Sequence, residues 1–204
     1  VWGNFKDEGI YITDTRTHDN IVRNVENFRK KMLENYYLNP REIYYYGGEL
    51  QTAGYTDDAI RVLEDFLTKD YDDNYDKINA LNRLASCYSE KKDYEKAIQC
   101  CLKTFSFGVP KAETCYKLAS YFQTLKRYHE AIFWFKSTLE AERPTPNLMV
   151  VDDSWINYLP HQQLCCCYYN IGDLENSYNE IAAKYVPHDP FVNQNRNFFK
   201  SLGI

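Results

Sequence analysis

The sequence predicts an all-α fold in which antiparallel helix pairs stack in series and a C-terminal helix caps the stack. Three observations carry this prediction. A Tyr–Ala–Ile signature recurs as Tyr55 with Ala59-Ile60, Tyr94 with Ala97-Ile98 and Tyr128 with Ala131-Ile132. A weaker fourth copy puts Ser177 in the alanine place. From Ala59 to Ala97, Ala131 and Ser177 the spacings are 38, 34 and 46 residues, and self-similarity at such a period marks repeat proteins. Twelve residues before each of these stands another small residue: Gly47, Ala85, Ala119 and Cys165. Two helices pack about 8–10 Å apart only where their crossing point carries little side chain. Around each small position, large apolar residues recur at the spacing of one helix face.

The elements follow in order. Asn20 to Leu38 reads as a leading helix, with Ile21, Val25, Phe28, Met32 and Leu33 on one face. In the first pair, Ile43, Tyr46 and Leu50 surround Gly47, and Ala59, Ile60, Leu63, Phe66 and Leu67 form the second helix's stripe. The second pair repeats this with Leu81, Leu84 and Tyr88 around Ala85, then Ala97, Ile98, Cys101, Leu102 and Phe105. The third has Cys115, Leu118 and Phe122 around Ala119, then Ala131, Ile132, Phe135 and Leu139. In the fourth, Leu164 and Tyr168 flank Cys165. Gly54 and Gly172 suit the left-handed position that ends a helix, and Asp93 and Asp173 suit the cap of the next one. Pro110 and Pro190 fall after second helices, where proline stops a helix or starts another. An insertion over residues 143–158 carries Leu148-Met149-Val150-Val151, too apolar for a solvated linker, and is expected to pack on the repeats. Pro190 to Leu202 reads as the closing helix, with Phe191, Phe198 and Leu202 inward and Asn193, Gln194, Asn195, Arg196 and Asn197 mostly outward.

Composition narrows the function. A net charge of −5 offers no basic field for DNA, RNA or anionic lipid. The longest apolar run, Leu164 to Tyr169, is far short of the roughly 20 residues of a membrane span. No signal-peptide pattern opens the sequence, so a cytoplasmic setting is expected. The seven cysteines form no CxxC pair. Adjacent ones point about 100° apart on a helix, so they suit buried apolar filling better than a metal cage. Asp57-Asp58, Asp72-Asp73 and Asp152-Asp153 read as caps or loop residues. No nucleophile–base pair, phosphate-binding glycine loop or metal-ligand spacing appears, so the chain is expected to be non-catalytic and without cofactor.

The small residues in register and the 34-residue unit resemble tetratricopeptide repeats over about residues 40–190. That resemblance implies a right-handed superhelix of helix pairs. It departs from the usual pattern in having Ile43, Leu81, Cys115 and His161, and no tryptophan, at the first large position. A second resemblance runs along most of the chain. Arg23-Asn24-Val25 with Phe28, Asn39-Pro40-Arg41-Glu42-Ile43-Tyr44-Tyr45, Gly48-Glu49-Leu50, the run Trp155 to Pro160, Leu164 to Asp173, and Pro187 with Pro190 are similar to the repeat region behind the catalytic domain of bacterial family 2 glycosyltransferases. It implies that residues 1–19 are a tail or linker from an upstream catalytic domain and that 20–204 are the repeat domain. The nucleotide-sugar half and its acidic metal motif do not occur in residues 1–204.

In a repeat of this kind the first helix of each pair lines a concave face. Residues one turn from the packing stripe should line it: Arg41, Tyr44, Tyr45 and Gly48; Asn79, Asn82, Arg83 and Ser86; Glu113, Tyr116, Lys117 and Ser120; Gln162, Gln163 and Tyr169. Tyrosines, asparagines and the equivalently placed Arg83 and Lys117 suit an extended peptide carrying an acidic group. Two functions remain open: an interaction module of a glycosyltransferase, contacting a protein partner or its own catalytic domain, and a free-standing peptide-binding adaptor. The arrangement that clamps a C-terminal carboxylate in chaperone-binding repeats is not reproduced. Oligomeric state is not fixed by the sequence.

Overall fold

The computed structural model describes residues 17–141, 157–173 and 176–203, with side chains from 178 onward in the last stretch. Most of the insertion, most of the N-terminal tail and the Ser177 side chain therefore lie outside the described residues. The described residues form ten α-helices: α1 His18–Leu33, α2 Pro40–Thr52, α3 Thr56–Thr68, α4 Asn74–Glu90, α5 Tyr94–Lys103, α6 Ala112–Thr124, α7 Tyr128–Glu140, α8 Leu159–Asn170, α9 Asn176–Tyr185 and α10 Pro190–Ser201. The chain divides into two compact units, Val1–Val109 and Pro110–Ile204.

In the first unit α1 packs on α2, α2 on α3 and α4, α3 on α4, and α4 on α5. All four predicted small positions are buried, as close helix approach demands. At Gly47 an added Cβ would lie 2.7 Å from the Leu63 side chain, so only glycine fits between α2 and α3. Val25, Tyr46, Leu50, Ala59 and Cys87 form a continuous buried cluster there, with Phe28, Leu38, Ile60 and Val62 packed against it. Thr56 Oγ1 donates to Glu90 Oε2 at 2.8 Å, and Lys91 pairs with Asp57; each tie spans 34 residues and joins one repeat to the next.

In the second unit α6 packs on α7, α7 on α8, α8 on α9 and α9 on α10. Leu118, Phe135 and Leu164 are fully buried. Ala182, Ala183 and Val192 form the core between α9 and α10.

One turn design joins the two helices of each pair. Gly54, Lys92, Lys126 and Gly172 all adopt positive φ, at 82°, 61°, 60° and 82°. In each case the next residue's N–H reaches back to the helix it has just left: Tyr55 to Leu50 O, Asp93 to Tyr88 O, Arg127 to Phe122 O and Asp173 to Tyr168 O, all at 2.9 Å. This is the hydrogen-bond closure of a left-handed helix end. The two glycines are expected there; the two lysines occupy a conformation that costs a Cβ-bearing residue energy. Asp93 caps α5 as expected, accepting from the Lys96 N–H. The two residues that follow Asp173 lie outside the described ones.

Three expectations need correction. The leading helix ends at Leu33 and not at Leu38, because Asn35 takes φ 62° and the Tyr36 N–H closes on Lys31 O at 3.0 Å. Only Ile21 and Val25 of its face are fully buried, while Met32 and Leu33 are 40% and 84% exposed. Leu102 also points outward. In the closing helix the inward face is Val192, Asn195 and Phe199, whereas Phe191 and Leu202 are half-exposed. The buried Asn195 is satisfied: its amide donates to Asn179 Oδ1 at 3.0 Å, and Asn179 donates to Val192 O at 3.2 Å.

Candidate functional site

The first-unit positions meet where α2 lies beside α4. Asn39 starts α2 with a reciprocal capping box: its side chain accepts from the Glu42 N–H and the Glu42 carboxylate accepts from its own N–H, both at 3.0 Å. Pro40 pre-sets the first turn. These features fix the direction in which Arg41, Tyr44 and Tyr45 leave the helix. The Arg41 guanidinium stands 5.6 Å from the Tyr45 ring centroid, and Tyr45 is 47% exposed. Tyr44 is buried, its ring 5.3 Å from Tyr45 and 5.5 Å from Phe66. Burial raises the Tyr44 phenol pKa, and the neighbouring Arg83 cation opposes that rise.

Arg83, half-buried on α4, crosses to α2 and donates from Nη1 to Gln51 Oε1 at 2.7 Å. Its guanidinium lies over Gly48, where an added Cβ would stand 3.3 Å from Cζ, so the missing side chain makes room for it. No carboxylate among the described residues pairs with Arg83. In the first turn of α4, buried Asp76 accepts from the Tyr71 hydroxyl at 2.8 Å, which pushes that phenol up to about 12. Asn79 and Ser86 are half-buried; Asn82 is buried and does not face solvent.

The second-unit positions are used differently. Lys117 is ion-paired one turn back to Glu113 at 3.1 Å, with its side chain 12% exposed. Tyr116 is half-buried, edge-on to Phe135 at 5.5 Å, and Ser120 Oγ donates to Tyr116 O at 3.0 Å. Gln162 and Gln163 are buried, and Gln162 donates to Asp189 Oδ1 at 3.1 Å, tying α8 to the start of α10. Tyr169 packs edge-on to Phe198 at 5.3 Å.

Two features escape the sequence reading. In the second unit, His161, Tyr178 and Tyr168 form a column of rings, with Tyr178 6.1 Å from His161 and 5.4 Å from Tyr168. Lys136 caps it, 5.4 Å from the Tyr168 ring, its pKa raised by the tyrosine hydroxyls. The buried His161 Nδ1 has no hydrogen-bond partner among the described residues, and burial lowers that histidine's pKa. In the first unit, the early end of α1 leaves a groove of about 600 Å³ lined by Met32, Tyr36, Tyr37, Ile43 and Val62, with Arg61, Asp65 and Lys69 along its α3 wall. The seven cysteines are free thiols. Burial pushes Cys100, Cys115 and Cys166 to about 11 and Cys165 to about 12, and raises Cys167 as well, so at neutral pH they are protonated. Among the described residues no group of three or more His, Cys, Asp or Glu side chains could hold a metal ion. No helix among them is long and apolar enough to cross a membrane.

Comparison with known proteins agrees with this architecture. The tetratricopeptide-repeat family pattern matches residues 78–104 and 112–144, which are α4–α5 and α6–α7. No curated protein sequence matches the chain. Among solved structures it is similar to MamA, with 18% identity and a TM-score of 0.64 over 85% of this chain and 86% of that one. It is similar to YrrB, a tetratricopeptide-repeat protein with an unusual peptide-binding site, with 14% identity and a TM-score of 0.62 over 88% and 81%. BtubC from P. vanneervenii shares 15% identity with a TM-score of 0.58 over 82% and 71%. The fold is that of tetratricopeptide-repeat proteins, and residues 78–104 and 112–144 are two of its repeats.

Proposed function

We propose that this chain is a non-catalytic protein-interaction module that binds an extended peptide along α2 and α4. The carrying observation is the continuous array Arg41–Tyr45–Tyr44–Arg83, in which the exposed Arg41 and Tyr45 adjoin the buried Tyr44 ring and the half-buried Arg83 across α2 and α4. Tyrosine offers a large, stiff contact area at little entropy cost, and arginine adds directed donors. The similarity in fold to YrrB, a protein with a peptide-binding site, supports this reading. In the second unit Tyr116, Lys117 and Ser120 occupy the corresponding positions, while the buried Gln162 and Gln163 act through packing.

Two settings fit the module equally. One is the repeat region of a family 2 glycosyltransferase, which rests on the sequence motifs alone; the other is a free-standing adaptor. The protein's coding sequence upstream of Val1 separates them: a nucleotide-sugar-binding domain there favours the first. The binding reading is tested with a library of synthetic dodecamer peptides, read by fluorescence anisotropy. Saturable binding is expected, weakened about tenfold (~1.4 kcal/mol) by Tyr45→Ala. No saturable binding, or affinities indifferent to Tyr45→Ala, would overturn it.

A further inference from the structure

We infer that anion recognition belongs to Arg83 and is set by the neutral residue one turn before it. The inference rests on the peptide-binding reading and names the chemistry of the bound peptide: a carboxylate. Arg83 and Lys117 are 34 residues apart and occupy the same place in consecutive repeats. Four residues before each stand Asn79 and Glu113, which are likewise equivalent. On a helix, residues four apart are neighbours, and a glutamate preceding a cation at that spacing pairs with it favourably. Glu113 does this to Lys117 at 3.1 Å, so that cation is already matched within its own helix.

Asn79 carries no charge, so the same position beside Arg83 supplies no counterion. The guanidinium has five N–H donors in a planar fork. One bonds a neutral acceptor, Gln51 Oε1, and no carboxylate among the described residues pairs with the group. Half-burial makes an unmatched charge costly, and an incoming anion relieves that cost with charge-assisted hydrogen bonds. The group is also held ready: Gln51 fixes one edge of the fork, and Gly48 leaves the space beneath it. Tyr45 and Arg41, linked to Arg83 through Tyr44, give the peptide backbone an adjoining aromatic and cationic surface.

A carboxylate can come from an Asp or Glu side chain or from the peptide C-terminus, and both present the same two oxygens. The test uses the dodecamers that bind in the library, each made in three forms: acidic side chains with a free C-terminus, acidic side chains with an amidated C-terminus, and fully amide forms in which Asn and Gln replace the acids. The full chain is compared with Asn79→Glu and Arg83→Gln, each checked for an unchanged helical circular dichroism spectrum. We expect acidic forms to bind the native chain about tenfold or more tightly than the amide forms, with the gap shrinking as salt rises. In Asn79→Glu the introduced carboxylate pairs with Arg83 from within α4, so the gap closes although the cation remains. It closes in Arg83→Gln as well, through loss of affinity for the acidic forms. Which acidic form keeps the advantage identifies the carboxylate's source. Equal binding of acidic and amide forms to the native chain would overturn the inference and leave peptide binding standing, as would a gap that survives Asn79→Glu. An arginine that only ties α4 to α2 through Gln51 would shift the melting temperature in Arg83→Gln without a gap ever appearing. If no form binds, the peptide-binding reading falls and the inference falls with it.

Discussion

Adjacent glycines in α2 show how narrowly a single position can be specified. Gly47 and Gly48 share a helix and the same intrinsic cost of about 1 kcal/mol relative to alanine. Their surroundings differ. A Cβ at Gly47 meets Leu63, a fully buried side chain, at 2.7 Å. A Cβ at Gly48 meets the Arg83 guanidinium at 3.3 Å, the far end of a flexible side chain. Gly47→Ala should therefore lower stability by about 1–2 kcal/mol despite the gain in helix propensity, because overpacking outweighs it. Gly48→Ala should be close to neutral, since the gain in helix propensity offsets the small shift it forces on the arginine. Urea denaturation midpoints for the pair decide this, and equal effects would refute the assignment of Gly47 to the helix crossing. The special status of Gly47 is legible in the sequence because it falls in register with Ala85, Ala119 and Cys165. That of Gly48 is not, since it depends on a side chain 35 positions away.

Helices are read from sequence by their periodicity and their ends by local chemistry, and here the ends are where reading and structure part. Asn35 stops α1 early because asparagine tolerates the left-handed conformation, a signal outweighed in the sequence by the apolar residues around it. In α10 the amide of Asn195 turns inward because Asn179 meets it, so a polar residue marks the core face and the stripe shifts by one position. The connections within the helix pairs carry a sharper consequence. Lys92 and Lys126 occupy the same left-handed turn position as Gly54 and Gly172. Replacing either lysine by glycine removes the Cβ strain, though it adds chain entropy to the unfolded state. The strain exceeds the entropy at this φ, so Lys92→Gly and Lys126→Gly should each stabilise by about 0.5–1 kcal/mol, and Gly54→Ala should destabilise by at least as much. Thermal melts of the three variants measure this, and a destabilised Lys92→Gly would show that the lysine does more in that turn than its conformation reveals.

Across the whole molecule, the repeat is legible because every unit must solve the same packing problem with a small residue at the same place, whereas the binding face is only half legible. Counting one turn from the packing stripe treats each helix as an isolated cylinder; in the folded chain neighbouring helices cover part of that turn, and Tyr44, Asn82, Gln162 and Gln163 end up buried. The same dense packing sets how the protein responds to pH. Its buried thiols and several phenols are held above their ordinary pKa values: burial puts Cys100, Cys115 and Cys166 at about 11 and Cys165 at about 12, the hydrogen bond to Asp76 puts Tyr71 at about 12, and Tyr44, Tyr88 and Cys167 are also raised. For each of these acids the folded state holds its proton after the unfolded state has lost it. The unfolded chain therefore binds fewer protons between about pH 9 and pH 12, and stability falls as pH rises through that window. Below pH 9 both states are protonated at these groups and the contribution is constant. The melting temperature should drop by about 5–10 °C between pH 8 and pH 11. In the triple variant Cys165→Ala, Cys166→Ala, Cys167→Ala the starting melting temperature differs, but the drop itself should be smaller, because three of the titrating groups are gone. An undiminished drop in that variant would mean that the α8 thiols are not the groups that make the fold sensitive to alkali.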